Sequence, residues 1–268
     1  MEIFYDTLLA GKPIKAVLFD FDGTISTLRC GWEDVMAPLM VETLCAAGES
    51  GDVAAKVAGY IDQSAGIQTI FQMQWLAEQV KALGQEPLDP WDYKAEYNRR
   101  LMQRVVQRRE DVERGRKDAD CYLVSGSVAF LEALKDRGIS LYVASGTDQA
   151  DVESEADILG VAKYFYEIAG APLHEASCSK ERVIRNLLQS SGLTGKELVV
   201  VGDGKVEIAI AREAGALALG VASDEETCKG VNPVKRKRLI EARAHAIIGD
   251  FECLSEILAW LGIEGGEK

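Results

Sequence analysis

Asp20 and Asp22 flank a single phenylalanine and are followed at once by Gly23 and Thr24, where the short apolar run IKAVLFD (14–20) ends. Gly23 lets the backbone turn tightly there and expose amide groups to an anion. A second apolar run, ISLYVAS (139–145), ends at Ser145 and leads into Gly146 and Thr147. A third, ELVVVGD (197–203), ends at Asp203 between two glycines, with Glu207 four residues on. That spacing puts Glu207 one helical turn further along and able to face the same side. Lys180 opens a helix in Ser-Lys-Glu-Arg-Val-Ile and could neutralise clustered carboxylates and a phosphate at once. The chain has only His174 and His245 as histidines, so a site built from these residues is oxygen-rich. Carboxylates, carbonyls and waters are what Mg²⁺ prefers.

These residues need elements that bring them together. The run at 14–20 reads as a buried strand, rich in branched and aromatic residues. Residues 28–118 read as almost purely helical, with apolar residues at three- and four-residue spacing in VMAPLMVETLCAAG, TIFQMQWLAEQVKALG and YKAEYNRRLMQRVVQRRED. From about residue 119 helices alternate with short apolar runs at 139–145, 164–170, 197–203, 216–222 and 246–250. This alternation predicts a parallel sheet covered on both faces. The expected fold class is α/β: a Rossmann-like parallel sheet in a three-layer α/β/α core, with a smaller all-helical cap domain. The core is expected at 1–27 and 119–268, and the cap at 28–118. In such a sheet ligands bind beyond the carboxyl ends of the strands. If the three strands are neighbours, Asp20, Ser145 and Asp203 meet in one crevice.

Composition narrows the functions. With 268 residues, 47% hydrophobic and 27% charged, the chain is ample for a sizeable core. No apolar run is long enough to span a membrane. The N-terminus lacks the basic start and long apolar stretch of a signal peptide, so a cytoplasmic location is expected. The six cysteines are scattered without a C-x-x-C pair, which fits free thiols in a reducing compartment. A formal charge of −13 argues against nucleic-acid partners but not against a small anion, which feels local charge.

DFDGT (20–24), VASGTD (143–148), SKERVI (179–184) and VVVGDGKVE (199–207) resemble, in order, the four motifs of the haloacid dehalogenase superfamily. The helical stretch resembles that superfamily's cap inserted after the first motif. The whole chain is most similar to phosphoglycolate-phosphatase-like members. The resemblance implies a Mg²⁺-dependent phosphatase of a small phosphorylated metabolite, of the sugar phosphate or phosphoglycolate type. In it Asp20 is the nucleophile that becomes an aspartyl phosphate, Asp22 is the general acid and base, and Lys180 orients Asp20. Thr24, Ser145 and Gly146 are implied in phosphate binding. Asp20, the backbone carbonyl of Asp22, and Asp203 are implied as metal ligands, with Glu207 acting through a metal-bound water. Many members carry Asp where Glu207 stands here. Asp22 favours C–O–P chemistry, because dehalogenase and phosphonate-cleaving relatives lack an acid at that place. The alternatives are a sugar phosphomutase and a non-catalytic metabolite-binding relative.

Blander readings stand beside these. Asp20–Gly23 could be a strand-ending turn, Ser145–Thr147 a helix cap, and Lys180 a solvated lysine. Arg100, Arg104 and Arg108 could steer an anion but read better as a solvated face, since acids are interspersed. The Lys235–Arg238 run reads as the exposed first turn of a helix. Arg29 and Trp32 could touch substrate at the cap hinge, or Trp32 could pack within the cap. His174 reads as a loop residue.

Overall fold

The protein is described by a computed structural model at residues 1–4, 13–172, 175–176 and 179–263. Seven strands form one sheet: β1 (Glu2–Ile3), β2 (Ala16–Phe19), β3 (Ser140–Asp148), β4 (Glu167–Ala171), β5 (Leu198–Gly202), β6 (Leu217–Val221) and β7 (Ala246–Ile248). Their order is β1-β7-β6-β5-β2-β3-β4. Every pairing is parallel except β1 with β7, so the sheet is mixed rather than purely parallel. Two residues are too few to show a strand period in sequence. They are fixed instead by pairing with Ala246 and Ile247.

β2 lies at the centre because both of its faces are apolar. Val17 and Phe19 point into one cluster, and Ala16 and Leu18 into the other, as a period of two requires. On the first face lie α5 (Ser127–Asp136), α6 (Gln149–Ile158) and α10 (Leu254–Trp260), through residues such as Phe130, Val152 and Ile257. Phe19 meets Phe130 edge to face at 6.0 Å. On the second face lie α7 (Ser179–Ser191), α8 (Lys205–Glu213) and α9 (Pro233–Glu241), through Ile184, Ile208 and Leu239.

Four further helices follow β2: α1 (Glu33–Ala46), α2 (Val53–Ser64), α3 (Thr69–Ala82) and α4 (Pro90–Glu113). They bury a third cluster of their own, in which Tyr93, Tyr97, Leu101 and Val105 form a four-residue stripe along α4 against Met36, Met40 and Leu76. Asp89 caps α4 by accepting a hydrogen bond from the Trp91 amide at 2.8 Å, with Pro90 in the first turn. Asp52 caps α2 through the Ala55 amide. Among the described residues no helix is long and apolar enough to cross a membrane, and the five described cysteines are free.

A capping box closes the entry to β5: the Thr194 side chain and Glu197 reciprocate across one turn. Lys15, 2.8 Å from Glu197, and the Thr194 amide and hydroxyl hold the Glu197 carboxyl down to about 2. A depressed folded-state pKa contributes stability above the ordinary 4.5 and loses it as pH falls through about 2. Glu197→Gln is therefore expected to lower Tm at neutral pH, with the difference vanishing in strong acid when melting curves are compared across pH.

Candidate active site

Sheet register gathers the strand-end residues. Phe19 pairs with Val143 on one side and Val201 on the other, so Asp20 leaves β2 one residue short of Ser145 on β3 and of Asp203 just past the end of β5. The Asp20 amide still donates to the Val201 carbonyl at 2.8 Å. Asp20, Asp22, Ser145, Gly146, Lys180 and Asp203 all line one cavity between the sheet end and the four helices. The crevice expected from strand order is therefore present.

Asp20 and Lys180 are both buried, and the Lys180 Nζ lies 2.9 Å from Asp20 Oδ1. The same ammonium bonds the buried Glu207 carboxylate. Burial raises the Asp20 carboxyl well above the ordinary carboxylate range; Lys180 pulls it down, while Glu207, Asp203 and Asp22 push it up. Burial works against the Lys180 ammonium, but the Asp20 and Glu207 carboxylates outweigh it and raise its pKa. Removing Lys180 would strand two buried acids. Lys180→Met is expected to cost about 3–5 kcal/mol of stability, measured by urea unfolding against the wild type.

Asp22 is held differently. Its Oδ2 accepts from the Thr147 hydroxyl at 2.7 Å and the Ser145 hydroxyl at 3.3 Å. Its Oδ1 is buried without a hydrogen-bond partner, with Arg29 Nε at 3.8 Å. Ser145 also accepts from the Thr147 amide at 3.0 Å. The residue capping α6 is Asp148, not Ser145, because β3 runs on to Asp148 with a bulge after Ala144. The helix-cap reading of Ser145–Thr147 is thus replaced by an extended strand end.

Two expected site residues stand back from the cavity. Thr24 is fully buried, its hydroxyl has no hydrogen-bond partner, and it does not line the space. Glu207 lies behind Lys180, and its Oε2 has no hydrogen-bond partner. Above it sits Gly66 in the α2–α3 loop, at φ +93°, where a Cβ would come within 3.0 Å of Glu207 Oε1. Only glycine gives both that backbone angle and that approach.

The basic run at 235–238 departs from its sequence reading. Lys237 and Arg236 face outward, Arg236 onto Glu2. Lys235 and Arg238, three residues apart on one face of α9, are buried and line the cavity. Arg238 binds Asp62 of α2 at 2.9 Å. The Lys235 Nζ reaches Asp203 at 2.7 Å and Glu225 at 2.5 Å. Burial lowers the Lys235 pKa, but Asp203 and Glu225 more than reverse that and raise it. The helix start itself is an ordinary cap, with Asn232 accepting from the amides of Val234 and Lys235.

Sequence reasoning also missed Lys94 and Asn98, which bring α4 onto Asp148 at 2.5 and 3.2 Å and line the cavity. Their signal is the four-residue spacing beside the buried stripe of Tyr93 and Tyr97. Arg29 lines the cavity and binds Glu155 in a two-pronged pair at 2.7 and 3.1 Å, with Asp151 at 3.2 Å. Trp32 both lines the cavity and packs against the helical cluster. Arg100 and Arg104 pair with acids at the surface, and Arg108 donates to the carbonyls of Leu28 and Cys30; none of the three lines the cavity. His174 lies outside the described residues.

Comparison with known proteins shows the family of the chain. The family model of haloacid dehalogenase-like hydrolases matches residues 14–215. The chain is 25% identical to a phosphoglycolate phosphatase of Rhodospirillum rubrum over 256 residues, 95% of this chain and 94% of that protein. It is 32% identical to a 5'-nucleotidase of Pseudomonas aeruginosa over 96 residues, spanning 36% of this chain and 43% of that relative. A crystal structure described as a predicted phosphatase from Clostridium acetobutylicum superposes with a TM-score of 0.61 at 19% identity, covering 92% of this chain and all (100%) of that one, which shows a shared fold.

Proposed function

Because the chain belongs to the haloacid dehalogenase-like hydrolases, we propose that it is a Mg²⁺-dependent phosphatase of a small phosphorylated metabolite, acting through a phospho-aspartyl on Asp20. One observation carries this reading. A nucleophile candidate in contact with a buried ammonium, Lys180 on Asp20 at 2.9 Å, shares a cavity with Asp22, a second acid with one oxygen free of hydrogen bonds.

In the proposed reaction the Asp20 carboxylate attacks phosphorus in line and the ester oxygen leaves. Asp22 gives that oxygen a proton, then takes one from the water that attacks the aspartyl phosphate. Ser145 and the Gly146 amide receive the phosphoryl oxygens, with Ser145 exchanging its bond to Asp22 for one to substrate. Lys180 fixes Asp20 and offsets charge.

The donor set suits Mg²⁺. It is all oxygen, and three carboxylates, those of Asp22, Asp203 and Glu207, crowd around Asp20. Asp20, the Asp22 carbonyl and Asp203 would hold the ion, with Glu207 behind them; when bound it offsets negative charge on the carboxylates and the phosphoryl group. Among the described residues no three Asp, Glu, His or Cys side chains already form a metal-holding group. A set that takes its third donor from a backbone carbonyl needs no such trio.

Residues 28–118 act as a cap on a core formed by 1–27 and 119–268. The cap brings Trp32, Ile67, Lys94 and Asn98 to the cavity wall, where they select the non-phosphate part of the substrate, and its closure excludes bulk water. The similarity to a phosphoglycolate phosphatase along nearly the whole chain supports phosphoglycolate as the substrate type, and a sugar phosphate is the other type that the motifs imply. A panel of phosphorylated metabolites with inorganic phosphate as readout tests the reading. Phosphate release from small monoesters is expected; conversion of a sugar phosphate into its isomer without phosphate release would replace hydrolysis by transfer.

A further inference from the structure

We infer that Lys235 is a built-in cation that competes with the divalent ion for Asp203 and so sets how weakly the site binds metal. The inference rests on the Mg²⁺ reading above. Three oxygen partners surround the Lys235 Nζ: Asp203 Oδ2 at 2.7 Å, Glu225 Oε1 at 2.5 Å and Ser223 Oγ at 3.1 Å. The Ser223 hydroxyl in turn donates to the Gly23 carbonyl, one residue past the carbonyl assigned to the ion. Gly23 has φ +73°; a Cβ there would overlap the Asp203 carboxylate and lie 2.8 Å from Lys235 Nζ. The ammonium therefore sits in the crevice between the ends of β2 and β5.

Both carboxylates assigned to the ion thus carry an ammonium: Lys180 on Asp20 and Lys235 on Asp203. The reaction has a use for the first, because Lys180 fixes the nucleophile. It has none for the second. A cation on Asp203 and a divalent ion on the same carboxylate repel each other across a few ångströms of low-dielectric space. Glu225 resolves the conflict. It offers Lys235 a second carboxylate at contact distance, so loading the ion on Asp203 does not strand a buried ammonium, which would cost several kcal/mol. The opposite role, Lys235 as a brace that holds Asp203 ready for the ion, predicts the opposite sign.

Mg²⁺ binding measured by isothermal titration calorimetry separates them. The chains compared are wild type, Asp203→Asn, Lys235→Met and the double variant Lys235→Met/Glu225→Gln, each checked for folding by circular dichroism. Competition predicts that Lys235→Met tightens binding about tenfold or more, tenfold being the scale of removing one unit charge beside a divalent ion even at a bulk-water dielectric. The double variant removes one charge of each sign and leaves the local net charge unchanged. It is nevertheless expected to bind Mg²⁺ about threefold tighter or more, because Asp203 is uncovered. It also decides alone should the single variant not fold. Affinity in the double variant equal to or weaker than wild type overturns the inference while leaving the metal reading in place. A wild-type chain that takes up no Mg²⁺, or Asp203→Asn binding as well as wild type, overturns the metal assignment and this inference with it.

Discussion

Asp20→Asn is expected to lower phosphate release by about four orders of magnitude or more, the scale of losing a covalent nucleophile, while the protein remains folded. Asn keeps the shape of the side chain but supplies no anionic oxygen for attack. The fold should tolerate the change because Asp20 is under electrostatic pressure. Burial raises its carboxyl well above the usual range, and Glu207, Asp203 and Asp22 add to that. A neutral side chain relieves this pressure, and Lys180 keeps Glu207 as a partner. Turnover and urea unfolding measured on the same preparation check both halves. Loss of activity together with loss of folding would assign Asp20 a structural role, and substantial residual turnover would remove it as nucleophile.

Chelation is expected to produce the second large effect. EDTA should depress turnover by about 10³-fold, since charge-stabilising groups at a transferring phosphoryl are worth that much, and added Mg²⁺ should restore it. An independent readout is thermal. A ligand at a hundred times its dissociation constant adds about 2.7 kcal/mol to the folded state, so Mg²⁺ should raise Tm in the wild type and fail to do so in Asp203→Asn. Chelator-resistant turnover would set aside the metal assignment without touching the role of Asp20.

The strand ends were legible because their signals are local. An apolar run of strand length followed by Asp or Ser and then glycine marks where a buried strand stops and a turn begins. Asp20, Ser145 and Asp203 needed only neighbouring strands to converge, and the register of Phe19 with Val143 and Val201 brings them together. Lys180 was legible by its place in a motif, not by any property of its own.

What sequence did not show is long-range. Lys235 and Arg238 lie in a basic run, and such runs are usually solvated. Their burial is decided by acids on other elements: Asp203 after β5, Glu225 after β6 and Asp62 in α2. Arg29 likewise finds its partner Glu155 126 residues away. Thr24 shows the same limit in the opposite direction, since its neighbours Asp22 and Gly23 do not reveal that the turn carries its side chain out of the solvent. The two-residue strand β1 has no pattern to read.

The central claim is a covalent bond between phosphorus and Asp20. Acid quench of the enzyme during turnover of a labelled phosphomonoester, followed by proteolysis and peptide mass spectrometry, tests it most directly. The account predicts a phosphoryl adduct on the peptide spanning residues 16–29, located at Asp20 and absent from Asp20→Asn. Phosphate released in a single turnover with that peptide unmodified, or with the label on another residue, would contradict it.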